Sequence, residues 1–181
     1  MVRAGVKILQ IRVKNQSKKR IYEITREIVS FCAQNGVCCI VNDYVDIALT
    51  TAASGVHLGQ TDFPLSEARA LLPGRVIGFS THDGEQFAAA KTRPVDYIAI
   101  GPVFQTASKI NAAEPLGLPI VRKIVKGKTQ PIVAIGGIDQ QHIAQLIDAG
   151  VDGIAMISSL YRDGTVYDNT CRLMGIVRAK V

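Results

Sequence analysis

Cys39-Ile-Val-Asn-Asp-Tyr-Val-Asp46 and, a few residues on, Gly55-Val-His-Leu-Gly-Gln-Thr-Asp62 each contain a short apolar run that stops at a carboxylate. Ile40-Val41 reads as a buried strand ending in Asn42-Asp43, and Val56-His57-Leu58 as the next strand, running out through Gly59-Gln60 to Asp62. If the two strands are parallel neighbours, their C-terminal ends lie together and Asp43 and Asp62 face one crevice. Parallel sheets and barrels bind ligands at that edge, where loops carry chemistry without disturbing the core. Two carboxylate oxygens from adjacent loops, completed by waters and substrate phosphates, suit Mg2+. The competing reading is that Asp43 caps a helix starting near Tyr44 and Asp62 caps one after Pro64. Spacing alone leaves both open.

Outward from this centre the chain repeats one unit. A strand over 6–12 leads to the basic residues Arg12 and Lys14, and Ser17 caps a helix over 18–35 in which Ile21, Ile24, Ile28 and Phe31 recur at helical spacing before Gly36. Strand and helix then alternate: 38–42 and 44–53, 55–58 and 64–72, 76–80 and 83–91, 97–101 and 116–126, 132–135 and 139–149, 153–157 and 166–178. Seven strands, each followed by a helix, require crossover connections, and the pattern predicts an α/β architecture with a parallel sheet. Two features favour a barrel over an open doubly wound sheet. The repeat is regular with no G-x-G-x-x-G after any strand, and Gly136-Gly137 follows the sixth strand with Ile157-Ser158-Ser159 after the seventh. Loops at those places form a phosphate site in many barrels, although a tight strand-to-helix turn needs glycine in any case.

Composition bounds the partners. With 48% hydrophobic and 20% charged residues, the 181-residue chain can bury a core as one domain. The net charge of +6 is spread along the chain without a basic arm, so anionic small molecules are expected as partners rather than nucleic acid. Cys32, Cys38, Cys39 and Cys171 form no C-x-x-C pair and are expected as reduced, buried thiols. With no secretory h-region and no apolar run of the ~18 residues that a membrane span needs, a soluble, cytoplasmic protein with no membrane partner is expected.

Between strand 97–101 and the next helix lies a long loop, Pro102-Val-Phe-Gln-Thr-Ala-Ser-Lys109 and onward, in which Thr106, Ser108 and Lys109 make a set of hydroxyls and a cation suited to an oligophosphate. His82, at another strand end, is a candidate acid–base group. His57 reads as a hydrogen-bonded core histidine and His142 as helix surface.

Taken together, Gln10-Ile-Arg12-Val-Lys14, Val41-Asn42-Asp43-Tyr-Val-Asp46, Gly55 to Asp62, Gly78-Phe-Ser80-Thr-His82, Asp96-Tyr-Ile-Ala-Ile-Gly101-Pro, Thr106-Ala-Ser-Lys109, Ala134-Ile-Gly-Gly-Ile138 and Gly153-Ile-Ala-Met-Ile-Ser158 resemble the thiamine-phosphate synthase family over nearly the whole chain and in the family's order. The resemblance implies a TIM-type (β/α)8 barrel that joins hydroxymethylpyrimidine pyrophosphate to hydroxyethylthiazole phosphate, releasing pyrophosphate, with Mg2+ as cofactor. By position it makes Asp43 and Asp62 the metal ligands. Arg12, Lys14, Asn42, Ser80 and Lys109 become the catalytic residues that hold the pyrophosphate. Gln10 meets the pyrimidine, Thr106 and Ser108 the thiazole phosphate region, and Gly137, Ile157 and Ser158 its phosphate.

Two departures stand out. Ser108 replaces the family's usual threonine and keeps its hydroxyl. The opening Val2-Arg-Ala-Gly5-Val6 matches the end of the family's first helix, so residues 1–181 are expected to form a single barrel domain lacking its first strand and most of that helix. Such a gap would expose apolar edges, favour self-association into a homo-oligomer and impair activity. The rival readings are a thiazole tautomerase of the same superfamily, relying on His82 without the metal or the pyrophosphate cations, and a non-catalytic barrel that binds phosphate ligands.

Overall fold

Short Val- and Ile-rich runs that are apolar at every position can be buried only with both faces covered, which is what helices packed outside a parallel sheet provide. The computed structural model, which describes residues 1–106 and 113–180, builds one parallel sheet of seven strands in chain order. The elements are β1 (Ile8–Ile11), α1 (Lys18–Gln34), β2 (Cys38–Asn42), α2 (Val45–Thr50), β3 (Gly55–Leu58), α3 (Leu65–Leu71) and β4 (Val76–Thr81). They continue with α4 (Gly84–Ala90), β5 (Tyr97–Ile100), α5 (Gly117–Lys126), β6 (Ile132–Ile135), α6 (Gln140–Asp148), β7 (Gly153–Ala155) and α7 (Val166–Arg178). Short 3-10 helices occupy Val2–Ala4 and Ser158–Leu160. This is the α/β architecture of the TIM type, with the strands in an arc; among the described residues no pairing joins β1 to β7, and Ile8 on β1 is 64% exposed.

The sequence places every strand and helix correctly, with differences at the ends. β1 begins at Ile8 rather than at residue 6, and β7 stops at Ala155, where the chain turns into a 3-10 helix instead of extending to 157. In α1, Ser17 caps as expected, accepting from the Arg20 amide at 3.2 Å, and Gly36 follows in the left-handed region with φ 63°. The buried stripe of α1, however, is Ile21, Thr25, Val29 and Cys32, and Phe31 is 49% exposed. A small polar Thr and a Cys occupy places where an apolar count looks for large side chains. The cysteine expectation is corrected at two positions, since Cys171 is exposed and Cys38 only half-buried, whereas Cys32 and Cys39 are buried. Burial, with Cys32 alongside, pushes the Cys39 thiol up to about 12.

The core runs through the sheet and under the helices, with Val56, Leu58, Ile77, Ile98, Ile100 and Ile132 fully buried, each side chain contributing about 1.5–3 kcal/mol. At the N-terminal edge of the sheet, side chains bond strand amides directly. The Cys39 amide donates to Ser54 Oγ at 3.0 Å, the Ile77 amide to Asp96 Oδ2 at 2.7 Å, and the Ile132 amide to Asp152 Oδ2 at 2.8 Å. Each acid also takes a cation from an outer element: Arg69 reaches Asp96 at 2.5 Å and Lys128 reaches Asp152 at 2.7 Å. These contacts lie at the edge opposite the loops that carry chemistry, where they stabilise the barrel without touching its site.

Burial opposes the charge of Asp152, but the Lys128 and Ile132 hydrogen bonds and the Lys128 charge together hold its carboxyl below the ordinary 3.8. A carboxyl with a depressed folded pKa stabilises above its unfolded value, and that contribution is lost as pH falls through the folded one. Asp152→Ala is therefore expected to cost about 1–2 kcal/mol at pH 7, the range for a hydrogen-bonded and partly exposed pair. The gap between variant and wild type should narrow in denaturation curves taken below pH 4. A gap that stays constant with pH would show that the ion pair contributes nothing.

Candidate active site

Because all seven strands are parallel, their C-terminal ends form one rim, and the residues singled out from the sequence fall on it. Gln10 lies near the end of β1, and Arg12 and Lys14 follow it. Asn42 is the last residue of β2 and Ser80 the next to last of β4. Thr106 lies in the loop after β5, Gly137 follows β6, and Ile157 and Ser158 follow β7. Ser108 and Lys109 lie outside the described residues.

The two carboxylates meet. Asp43 takes the left-handed region with φ 68°, unusual for a residue other than glycine but tolerated by Asp, and its amide continues the ladder by donating to the His57 carbonyl at 2.9 Å. Its carboxylate is ion-paired to Lys14 Nζ. Asp62 Oδ2 accepts from the Gly59 amide at 2.7 Å, a bond that folds the loop after β3 back on itself. Burial, and after it the neighbouring Asp43 carboxylate, raise the Asp62 pKa, against the opposing pull of the Gly59 bond and Lys14. Neither residue caps a helix. The N-cap positions of α2 and α3 are Tyr44 and Pro64, and neither makes a side-chain cap bond. The capping alternative is thus excluded by where the side chains go.

A pair of close carboxylates with one lysine suits a hard divalent cation. Among the described residues no group of three or more His, Cys, Asp and Glu side chains could hold a metal, so a cation at this place would find at most the two aspartates as protein ligands. Such a set fits Mg2+, which keeps several waters and takes further oxygens from a substrate phosphate.

Around this pair the β3 and β4 ends are tied together. Gln60 Nε2 donates to the Ser80 carbonyl at 2.6 Å. His57 is buried as expected, with Nε2 at 2.8 Å from Ser80 Oγ and Nδ1 at 2.8 Å from the Tyr97 hydroxyl. Burial pushes its pKa down to about 4, with the Asp43 charge acting the other way, so the imidazole is neutral at pH 7. Burial also raises the Tyr97 hydroxyl above its ordinary value. His82 Nδ1 lies 2.6 Å from the Gly101 carbonyl, which can only accept, so this nitrogen carries the proton.

On the far side of the rim the loops after β5, β6 and β7 interlock. The Val103 amide donates to the Ile135 carbonyl at 2.9 Å and the Phe104 amide to the Gly136 carbonyl at 3.0 Å. Ser159 Oγ donates to the Ile138 carbonyl at 2.5 Å, fixing the turn that holds Ile157 and Ser158 against the β6 loop. His142, expected on the helix surface, instead stacks on Phe104 with centroids 3.8 Å apart, and its Nδ1 accepts from the Asp139 amide at 3.3 Å. Sequence position on a helix's first turn could not reveal a stacking partner 38 residues earlier in a loop.

Both glycines of the pair have positive φ, 95° at Gly136 and 65° at Gly137. A Cβ at Gly137 would lie 2.4 Å from the Gln105 carbonyl oxygen and 2.5 Å from that of Phe104. Close backbone approach thus demands glycine here independently of any ligand. Gly137→Ala is expected to lower stability by about 1–3 kcal/mol through strained φ and displacement of the β5 loop. An unchanged melting temperature would contradict this packing.

The family model described as thiamine monophosphate synthase matches residues 1–160. The chain belongs to the thiamine monophosphate synthase family. It is 41% identical over 160 residues to the thiamine-phosphate synthase of Shouchella clausii, an alignment that covers 88% of this chain and 77% of that protein. Identity to the thiamine-phosphate synthase of Persephonella marina is 38% over 177 residues, 97% of this chain and 84% of the relative. Among solved structures, thiamine phosphate pyrophosphorylase from Pyrococcus furiosus superposes with a TM-score of 0.92 at 34% identity, covering 99% of this chain and 87% of that one. The family match ends before α7, yet the superposition spans nearly the whole chain.

Proposed function

We propose that this family member is a thiamine-phosphate synthase, a transferase joining hydroxymethylpyrimidine pyrophosphate to hydroxyethylthiazole phosphate. The observation that carries the reading is the Lys14–Asp43–Asp62 cluster on a rim that also bears Arg12, Asn42 and Ser80. In the reaction the C–O bond between the pyrimidine methylene and pyrophosphate breaks, and its electron pair leaves with pyrophosphate. The thiazole nitrogen donates its lone pair to the same carbon, forming the C–N bond. Arg12, Lys14, Asn42, Ser80 and Lys109 hold the leaving group and neutralise its charge, while Gln10 contacts the pyrimidine. Thr106, Ser108, Gly137, Ile157 and Ser158 hold the thiazole phosphate. Asp43 and Asp62 would hold Mg2+, which when bound supplies positive charge to the pyrophosphate oxygens. A tautomerase reading leaves the carboxylate pair and the pyrophosphate cations without a task, and a binding-only reading would instead give tight thiazole phosphate binding by calorimetry without product.

No helix among the described residues is long and apolar enough to cross a membrane, and the reading places the enzyme in the cytoplasm, acting on small molecules and neither nucleic acid nor membrane. Residues 1–181 act as one domain in it. The exposed Ile8 edge supports a further element: the seven described strands form an open arc of the TIM type, and its unpaired edges favour a homo-oligomer.

Incubating the protein with both substrates and Mg2+ is expected to yield thiamine phosphate, and absence of product from folded protein would overturn the reading. Asp43→Ala and Asp62→Ala are each expected to lose at least about a hundredfold in rate, the scale seen when a group stabilising transition-state charge is removed. Full activity in either variant would remove that residue from the metal site. Sedimentation is expected to show a homo-oligomer that dissociates on dilution; a monomer at every concentration would defeat the open-edge proposal.

A further inference from the structure

The register of the sheet puts His57 on β3, Gly78 on β4 and Tyr97 on β5 in one row. Gly78 has no side chain because the Tyr97 ring occupies its place: a Cβ there would lie 2.0 Å from the Tyr97 ring carbon that bears the hydroxyl. The ring therefore crosses β4 and stacks on the His57 imidazole, centroids 5.5 Å apart, with its hydroxyl 2.8 Å from Nδ1. Ser80 lies two residues beyond Gly78, on the same face of the strand, and its Oγ is 2.8 Å from Nε2. Three strands thus build a chain through the buried His57 imidazole, Tyr97 to His57 to Ser80, that ends at the rim.

The chain has a chemical direction. A phenol is a stronger hydrogen-bond donor than an aliphatic hydroxyl, so the Tyr97 O–H donates to Nδ1. A neutral imidazole accepting at Nδ1 carries its proton on Nε2 and donates it to Ser80 Oγ. With one lone pair of Oγ taken by Nε2–H, the Ser80 proton points elsewhere, toward whatever anion occupies the rim.

We propose that Tyr97 and His57 are positioning residues that present the Ser80 hydroxyl as a hydrogen-bond donor to the pyrophosphate group of the substrate. This rests on the assignment of Ser80 to the pyrophosphate made above. Neither residue touches the substrate or exchanges a proton with it. The reverse polarity, Nδ1–H to Tyr97 and Ser80 O–H to Nε2, would consume the Ser80 proton and leave the rim an acceptor facing an anion.

The test is a double-mutant cycle on kcat/KM for the pyrimidine pyrophosphate, using wild type, Tyr97→Phe, Ser80→Ala and the double variant, with melting curves alongside. Tyr97→Phe is expected to lose roughly tenfold in the wild-type background, about the value of one hydrogen bond to a charged group, and nothing further in the Ser80→Ala background. KM for the thiazole phosphate should not change. Equal losses in both backgrounds, or no loss at all, overturn the proposal. Long-range 1H–15N correlation of the His57 ring in the wild-type protein is expected to show the Nε2–H tautomer. An Nδ1–H tautomer overturns the proposed direction whether or not Tyr97→Phe folds. If the wild type forms no thiamine phosphate, the coupling reading falls, but calorimetric titration of the same four proteins with inorganic pyrophosphate still decides the chain. If Ser80→Ala keeps the full rate and pyrophosphate affinity, the chain has nothing to present and the present inference falls while the coupling reading stands.

Discussion

Parallel register is the constraint on which the rest depends. Once Ile40 pairs with Gly55 and His57 with Gly78, every strand ends on the same side, and each loop that follows a strand opens onto one rim. Antiparallel strands would have sent Asp43 and Asp62 to opposite edges. The division of labour between the two ends follows from this. The N-terminal edge carries acid–amide–cation clasps such as Asp152 with Ile132 and Lys128, and the C-terminal rim carries groups whose charge is incompletely matched.

That mismatch is informative about chemistry. At the N-terminal edge the Asp152 carboxyl is held below its ordinary pKa, as a satisfied structural acid should be. At the rim Asp62 is shifted in the opposite direction, because burial and a second carboxylate both disfavour its charge. Two acids on one fold with opposed shifts mark the difference between a clasp that stabilises and a carboxylate whose charge the surrounding residues leave partly uncompensated. Lys14 on Asp43 offsets only part of the negative charge.

The architecture was legible because buried strands and amphipathic helices differ in period and length, and the chain repeats both seven times. The rim residues were legible for a related reason: apolar runs end where parallel strands end, so Asp43, Asp62 and Ser80 announce themselves by position. What was not legible depended on contacts across the sheet. A strand histidine such as His57 can be recognised as buried, but nothing local says that Tyr97, 40 residues later, crosses β4 to reach it. Gly78 looked like part of a motif, and its reason lies in a neighbouring strand's ring. His142 was misread because its partner Phe104 sits in a different loop. The capping alternative for Asp43 and Asp62 could not be settled from spacing, since a cap and a rim ligand occupy the same place in the sequence and differ only in where the side chain points.

The proposed reaction explains why the buried histidine beneath the rim, His57, holds a fixed proton. Joining a pyrimidine methylene to a thiazole nitrogen breaks one C–O bond and forms one C–N bond, and no proton has to move at either atom. An acid–base histidine would want a pKa near neutrality and a nitrogen ready to change state. His57 is buried, bonded at both nitrogens and neutral well below pH 7. Such a group orients other groups. What the chemistry needs is charge held still around a departing pyrophosphate, and a rim of lysine, arginine, amide and hydroxyl supplies that best when its supports cannot titrate in the working range.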